Sequence, residues 1–290
     1  MGQAMLAGWI EAGLVEQAIV VDPNHFASPM GRGREDGGNA GHSGEGIRLS
    51  QSPHPSPLPG GEGIIEHPNR VHFISSPAHL HPAFIPDMVV LAVKPQVMAD
   101  ILPFYRRMAG QAPFLSIAAG KDIAFFERHL GGDAAIIRAM PNLPATIRMG
   151  TTGCCANERA TTLHRALATS LLTAIGEVHW VEEVQIDALM ALSGCGPAYV
   201  FLMAEVLAKA GEELGLGADL AASLARQTIA GAAEMLRRSS EPAATLRDRV
   251  TSKGGTTEAA LRILMENDAL FSIYARAMQS AVTRAGELAD

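Results

Sequence analysis

The sequence predicts a doubly wound α/β domain followed by an all-α domain, and three observations carry that expectation. Short apolar runs alternate with helical stretches through the first half of the chain. One of those runs, MVVLAV at residues 88–93, is unbroken, as in a central parallel strand covered on both faces. After about Asn157 the strand signal stops and helical periodicity continues to the C-terminus. At 290 residues with 48% hydrophobic residues, the chain has material for two domains, expected at 1–157 and 158–290.

Taken in order, residues 1–14 read as a helix with an apolar face through Met1, Met5, Trp9 and Ile10, closed at Gly13. A short strand, Ala18–Val21, follows and is stopped by Asp22 and Pro23. From Gly31 to Gly63 the composition shifts to glycine, serine, proline and histidine; such a stretch buries too little apolar surface to offset its ordering entropy, so residues 31–63 read as a disordered insertion. VHFIS reads as a strand and residues 78–84 as a short helix. FLSIAAG and AAIIRAMPN repeat the pattern of strand then loop, with FFERHLGG as a helix between them. Beyond 157 come ATTLHRALATSLLTAIG, a brief HWVEE extension, then a helix opened by Pro197 and closed by Gly215, and further helices to the C-terminus. Ala221, Ala222, Ala225, Gly231, Ala232 and Ala233 leave little side chain between helices and predict close helix contacts, within one chain or between two.

Composition removes several functions. A net charge of -7 with 18% charged residues provides no basic stripe for nucleic-acid phosphates. Cys154, Cys155 and Cys195 have neither disulfide nor metal spacing and read as small buried hydrophobes in a reducing compartment. The longest apolar candidate for a membrane span, residues 198–208, is interrupted by Glu205 and is short of the ~18 residues a bilayer requires. The start of the chain lacks a basic segment and a small-residue cleavage site, which makes the cytoplasm the default location.

Three strings carry chemistry. Gly2 opens the first helix and Asp22 lies twenty residues on, the spacing at which an acidic side chain meets a ribose 2′-hydroxyl beyond the last glycine of a dinucleotide turn. Val93, Lys94 and Pro95 end a central strand, and SIAAG and RAMPNLP end later ones; ligands of open α/β sheets bind at such strand ends. An ordinary strand-ending turn with a solvated lysine fits VKP equally well. In VTSKGGTTEAAL, Gly254 and Gly255 allow close backbone approach, while Thr256 and Thr257 open a helix whose free N–H groups attract an anion such as a small carboxylate. A plain helix N-terminus after a flexible loop gives the same string.

Together, MGQAMLAGWIEAG, LAVKP, SIAAG, IIRAMPNLPA, LSGCGPAYVF and LRDRVTSKGGTTEAAL resemble segments of the Δ1-pyrroline-5-carboxylate reductase family, in the same order. The resemblance implies reduction of Δ1-pyrroline-5-carboxylate to L-proline, the last step of proline biosynthesis, with NADPH or NADH. It implies a Rossmann-like nucleotide domain and a C-terminal helical dimerisation domain, in homodimers and larger rings of dimers. By the same resemblance Ser252, Gly255, Thr256 and Thr257 hold the substrate carboxylate, and the Thr257 hydroxyl faces the ring nitrogen. Gly2, Asp22, Ala92, Val93, Lys94, Pro95, Ala118, Ala119, Gly120, Met140, Pro141 and Asn142 line the dinucleotide. No metal is implied. The chemistry agrees with the residue types, since a protonated imine carbon accepts hydride without a nucleophile or metal.

The sequence departs from that family in places. Members begin with a first strand and two further glycines, so the nucleotide domain is expected to lack that strand. Lys253 stands where a proline is usual, and Leu143 where a threonine is common. Asp22 favours NADH, whereas Arg32 or Arg34 of the insertion would suit a 2′-phosphate. A non-catalytic helical dimerisation protein is the alternative. An acid dehydrogenase of related build is disfavoured, because it generally needs a catalytic lysine in a helical half where only Lys209 and Lys253 occur.

Overall fold

The computed structural model describes residues 1–21 and 71–289. Asp22 and the 31–63 insertion, with Arg32 and Arg34, lie outside the described residues. Helix α1 (Gly2–Glu11) buries Met5 and Trp9, one turn apart, so a single face carries its packing. Strand β1 (Ala18–Val21) pairs in parallel with β2 (Val71–Ile74). The helix expected over 78–84 is only one 3-10 turn, Pro77–His79, because Pro82 and Pro86 remove the N–H groups a helix would need.

Strand β3 (Val89–Leu91) follows, then a 3-10 turn, Pro95–Val97, leading into α2 (Met98–Ile101) and a longer 3-10 stretch, Leu102–Met108. Strand β4 (Phe114–Ser116) precedes α3 (Ile123–Leu130), which starts where the Asp122 carboxylate accepts the Phe125 N–H at 2.6 Å. Then come β5 (Ile136–Met140), β6 (Gly150–Ala156), α4 (Thr162–Thr173) and β7 (Gly176–Trp180).

Strands β3 to β7 form a five-stranded sheet in sequence order, and β1 with β2 a separate two-stranded one. β3, β4 and β5 are mutually parallel, β6 runs antiparallel to β5, and β7 is parallel to β6. The strand signal therefore does not end at Asn157: β7 extends the sheet to Trp180. Its sequence GEVHW alternates half-buried with exposed residues, the period of an edge strand with one covered face, and lacks the apolar run that marks β3. One face of the sheet buries Phe114, Ile136, Leu102 and Met108 beneath α3 and the 102–108 stretch. The other buries Leu115 and Ile137 beneath α1 and α4, where the Trp9 indole N–H donates to the Leu171 carbonyl at 2.7 Å.

The helical half begins with α5 (Ile186–Leu189), which runs through a π-turn, Met190–Gly194, into α6 (Gly196–Glu213). Helices α7 (Ala218–Arg238), α8 (Ala243–Arg249), α9 (Thr256–Met265) and α10 (Ala269–Ala289) follow. The predicted small-residue contact joins α6 to α7: Ala221 and Ala225 are buried, and a Cβ at Gly211 would stand 3.4 Å from that of Ala221. Helix α6 buries none of its residues within the chain. By length and hydropathy the stretch Glu183–Glu213 suffices for a bilayer span, contrary to expectation, because averaging along a window dilutes Glu205.

Candidate active site

Parallel register decides the first half of the site. Val89 pairs with Phe114 and Phe114 with Ile136, so the loops after β3, β4 and β5 leave one edge of the sheet. Ala92, Val93, Lys94 and Pro95 stand beside Ala118, Ala119 and Gly120, and these beside Met140, Pro141 and Asn142. The middle loop is shaped by the buried Ser116, whose hydroxyl accepts the Ala118 N–H at 3.2 Å, and by Gly120, whose φ of 72° favours glycine. Lys94 is exposed, and its backbone is extended before Pro95.

Gly2 brings α1 to the same edge. A Cβ there would lie 2.9 Å from the Ala92 Cβ, closer than carbon atoms pack, so only glycine permits this approach of helix to loop. No side chain caps the first turn of α1. Its unpaired N–H groups and positive dipole end thus face the strand ends, a fit for a pyrophosphate. Gly2 and the three loops are the expected cofactor residues that the structure gathers; Asp22 lies outside the described residues.

The second half of the site is built on α9. Gly255 is its N-cap and offers no side chain, which leaves the amides of Thr256, Thr257 and Glu258 without intrahelical acceptors. The loop before it is held by its own bonds: the Gly255 N–H donates to the Ser252 carbonyl at 3.0 Å, and the Gly254 N–H to Glu258 Oε2 at 2.7 Å. Ser252 and Thr256 are exposed and Thr257 half-buried. Among the helices, strands and 3-10 turns, α9 packs chiefly on α10 and the turn Glu266–Asp268. The turn before α9 and the loops after β3, β4 and β5 are the two candidate halves, the first on the helical region and the second on the sheet.

A cavity of about 500 Å³ is lined by Glu127, Asn157, Arg165 and Glu183 among others. Its polar groups are occupied structurally. Arg138 Nη1 meets Glu183 Oε1 at 2.5 Å, and the same oxygen accepts the Ile123 N–H at 2.8 Å. Asn157 donates to Glu127 Oε1 at 2.9 Å. This network ties β5 to α3 and to the segment leaving β7. His179 and Glu205, polar side chains considered as participants, are both exposed, and His179 faces Glu177.

Sequence reasoning missed one polar junction. Asn142, expected as a cofactor contact, accepts the Thr151 N–H at 2.9 Å and donates to the Ser193 carbonyl at 3.1 Å. The available signal was Pro197, four residues after Ser193, which removes the N–H that a helix would have aimed at that carbonyl.

A family model described as pyrroline-5-carboxylate reductase dimerisation matches residues 183–288, beginning just after β7. The pyrroline-5-carboxylate reductase of Pseudomonas aeruginosa is 41% identical over 206 residues, covering 70% of this chain and 75% of that protein. A pyrroline-5-carboxylate reductase from Coxiella burnetii superposes with a TM-score of 0.78 at 32% identity, over 100% of this chain and 95% of that one. A Plasmodium falciparum pyrroline carboxylate reductase, solved with NADP bound, gives 0.67 at 30% identity, over 76% of this chain and 83% of that one.

Proposed function

The chain belongs to the pyrroline-5-carboxylate reductase family, and from that premise we propose that it reduces Δ1-pyrroline-5-carboxylate to L-proline using NADPH or NADH. The single observation that carries the reading is the pairing of two anion-receptive helix starts, α1 at the strand ends and α9 after Gly255. One suits a pyrophosphate and the other a small carboxylate. NADP on the Plasmodium falciparum relative supports the cofactor class.

The dinucleotide, when bound along residues 92–95, 118–120 and 140–142, supplies hydride to the imine carbon. The protein's own part is to place and polarise. The amides of Thr256, Thr257 and Glu258 receive the substrate carboxylate, with Ser252 beside them. The Thr257 hydroxyl accepts a hydrogen bond from the protonated ring nitrogen, which keeps the adjoining carbon electrophilic. A side-chain acid or base is not required for that step, in keeping with the exposed positions of His179 and Glu205.

Copies of the chain pair through the helical region, whose exposed apolar residues include Phe201, Leu202 and Val206 on α6 and Phe271 and Ile273 on α10. Because the major element contacts of α9 in one chain are α10 and the turn Glu266–Asp268, the reading has a partner's α9 loop complete the site, in dimers that associate further into rings. A cytoplasmic setting suits the three free thiols. The test is oxidation of NADPH and NADH by the purified protein with Δ1-pyrroline-5-carboxylate. Turnover supports the reading; an intact dimer without turnover on either cofactor replaces it with the non-catalytic dimerisation protein.

A further inference from the structure

The loop after β5 and the root of α6 are joined by one side chain. Asn142 Oδ1 accepts the Thr151 N–H at 2.9 Å, while Nδ2 donates to the Ser193 carbonyl at 3.1 Å, across 51 positions of sequence. The two partners fix the orientation of the amide, since Thr151 N–H only donates and a carbonyl only accepts. Ser193 lies in the π-turn, and its carbonyl is open for a specific reason. A continuing helix would direct the N–H of residue 197 at it, but that residue is Pro197. The next amide, Ala198 N–H, is spent on the Cys195 carbonyl at 2.9 Å. The Ser193 hydroxyl turns back to the Leu189 carbonyl at 3.0 Å and does not compete.

Apolar contacts flank this bond. A Cβ at Gly153 would fall 2.2 Å from Leu189 Cδ1, so the leucine occupies the space beside β6 that a larger residue would fill. A Cβ at Gly194 would stand 3.5 Å from Met140 Cε. The loop after β5, the start of β6 and the π-turn therefore pack as one unit. π-turns of this kind frequently mark functional sites.

Resting on the reductase reading, we propose that Asn142 is a positioning residue, a two-ended amide clamp that sets the dinucleotide edge relative to the dimerisation helices. One end holds a loop on which the dinucleotide lies; the other holds the π-turn that leads into α6, the helix that carries the face meeting a second copy. Hydride transfer tolerates little slack, because a displacement of about 1 Å costs on the order of 100-fold in rate. Loosening the clamp leaves both binding sites present and moves them apart.

The experiment compares full-length wild-type protein with Asn142→Ala and Asn142→Asp. The aspartate keeps the acceptor for Thr151 but turns a carboxylate oxygen toward the Ser193 carbonyl. Expected in both variants is a kcat lowered about 10- to 100-fold, with KM for NADPH and Δ1-pyrroline-5-carboxylate within about threefold. The deuterium isotope effect from 4-deuterated NADPH rises. Hydrogen exchange increases together in peptides covering 140–152 and 189–199, and stays unchanged over 162–180. Pro197→Ala restores a helical N–H for Ser193, so Asn142→Ala is expected to cost less in that background.

A rise in the KM for NADPH with unchanged kcat overturns the clamp in favour of direct cofactor contact. Unchanged exchange over 189–199 overturns it outright. If the wild-type protein oxidises neither cofactor, the reductase reading fails, and the exchange measurement still decides the clamp.

Discussion

Gly255→Ala tests the carboxylate role proposed for the turn before α9 most directly, because its effect is steric. The residue sits at φ -83° and ψ 173°, a conformation open to any residue, so adding a methyl group introduces no backbone strain. The new Cβ would lie 2.3 Å from Ser252 Oγ and 3.0 Å from the Ser252 carbonyl oxygen. The first gap is about 1 Å short of ordinary contact. The hydroxyl can rotate away, but the carbonyl is backbone and accepts the Gly255 N–H at 3.0 Å, so the turn itself must widen. A shift approaching 1 Å in the groups that hold the substrate costs on the order of 100-fold in kcat/KM, about 2.7 kcal/mol of transition-state stabilisation. Ser252 is exposed, so global stability is expected to change by only about 0.5 kcal/mol. The assay is NADPH oxidation over a range of Δ1-pyrroline-5-carboxylate concentrations, with the thermal midpoint measured alongside. Gly254→Ala provides the converse. Gly254 has a φ of 73° and a Cβ added there would meet no atom within 4 Å, so its alanine costs about 1 kcal/mol of conformational energy without crowding. A Gly255→Ala protein with kcat/KM within about threefold of wild type would refute the assignment of this turn.

The other expectations concern separate parts of the molecule. Thr257→Val keeps the shape and removes the hydroxyl; kcat is expected to fall about 100-fold, and an unchanged kcat would remove Thr257 from the mechanism. Thr152 is fully buried and its Oγ1 has no hydrogen-bond partner, so Thr152→Val is expected to stabilise by about 1–3 kcal/mol, read as a higher denaturant midpoint. Burial, and then the neighbouring Cys155, push the Cys154 thiol up to about 12, while Cys155 is pushed up to about 11 mainly by burial. These thiols hold protons in the folded state that the unfolded chain releases above about pH 9, so stability should decline as pH rises beyond that value, with a shallower slope in Cys154→Ala. Native protein should also resist thiol alkylation at these two positions until unfolded. Phe271, 74% exposed on α10, should be covered in a dimer; Phe271→Glu is expected to yield monomers by sedimentation, and a persisting dimer would exclude that face.

Sequence pattern locates the elements unevenly, and the reason is how each is buried. β1 to β5 are found because apolar runs such as MVVLAV mark strands with covered faces. β7 escapes because GEVHW shows only one covered face, and with it goes the expectation that the sheet stops at Asn157. The proposed helix over 78–84 fails on its prolines, a signal that was present and outweighed by its apolar content. The three strand-end loops are legible once parallel order is assumed, since ligands of such sheets collect at that edge.

By itself the sequence determined the family, strands β1 to β5 and most of the helices, and the turn before α9, because each is written in neighbouring residues. Only the tertiary structure decided that Asn142 meets Ser193, that α9 packs on α10, and that α6 buries none of its residues within the chain. Those facts depend on which distant segments pack together, and local periodicity records the covered face of an element without recording what covers it.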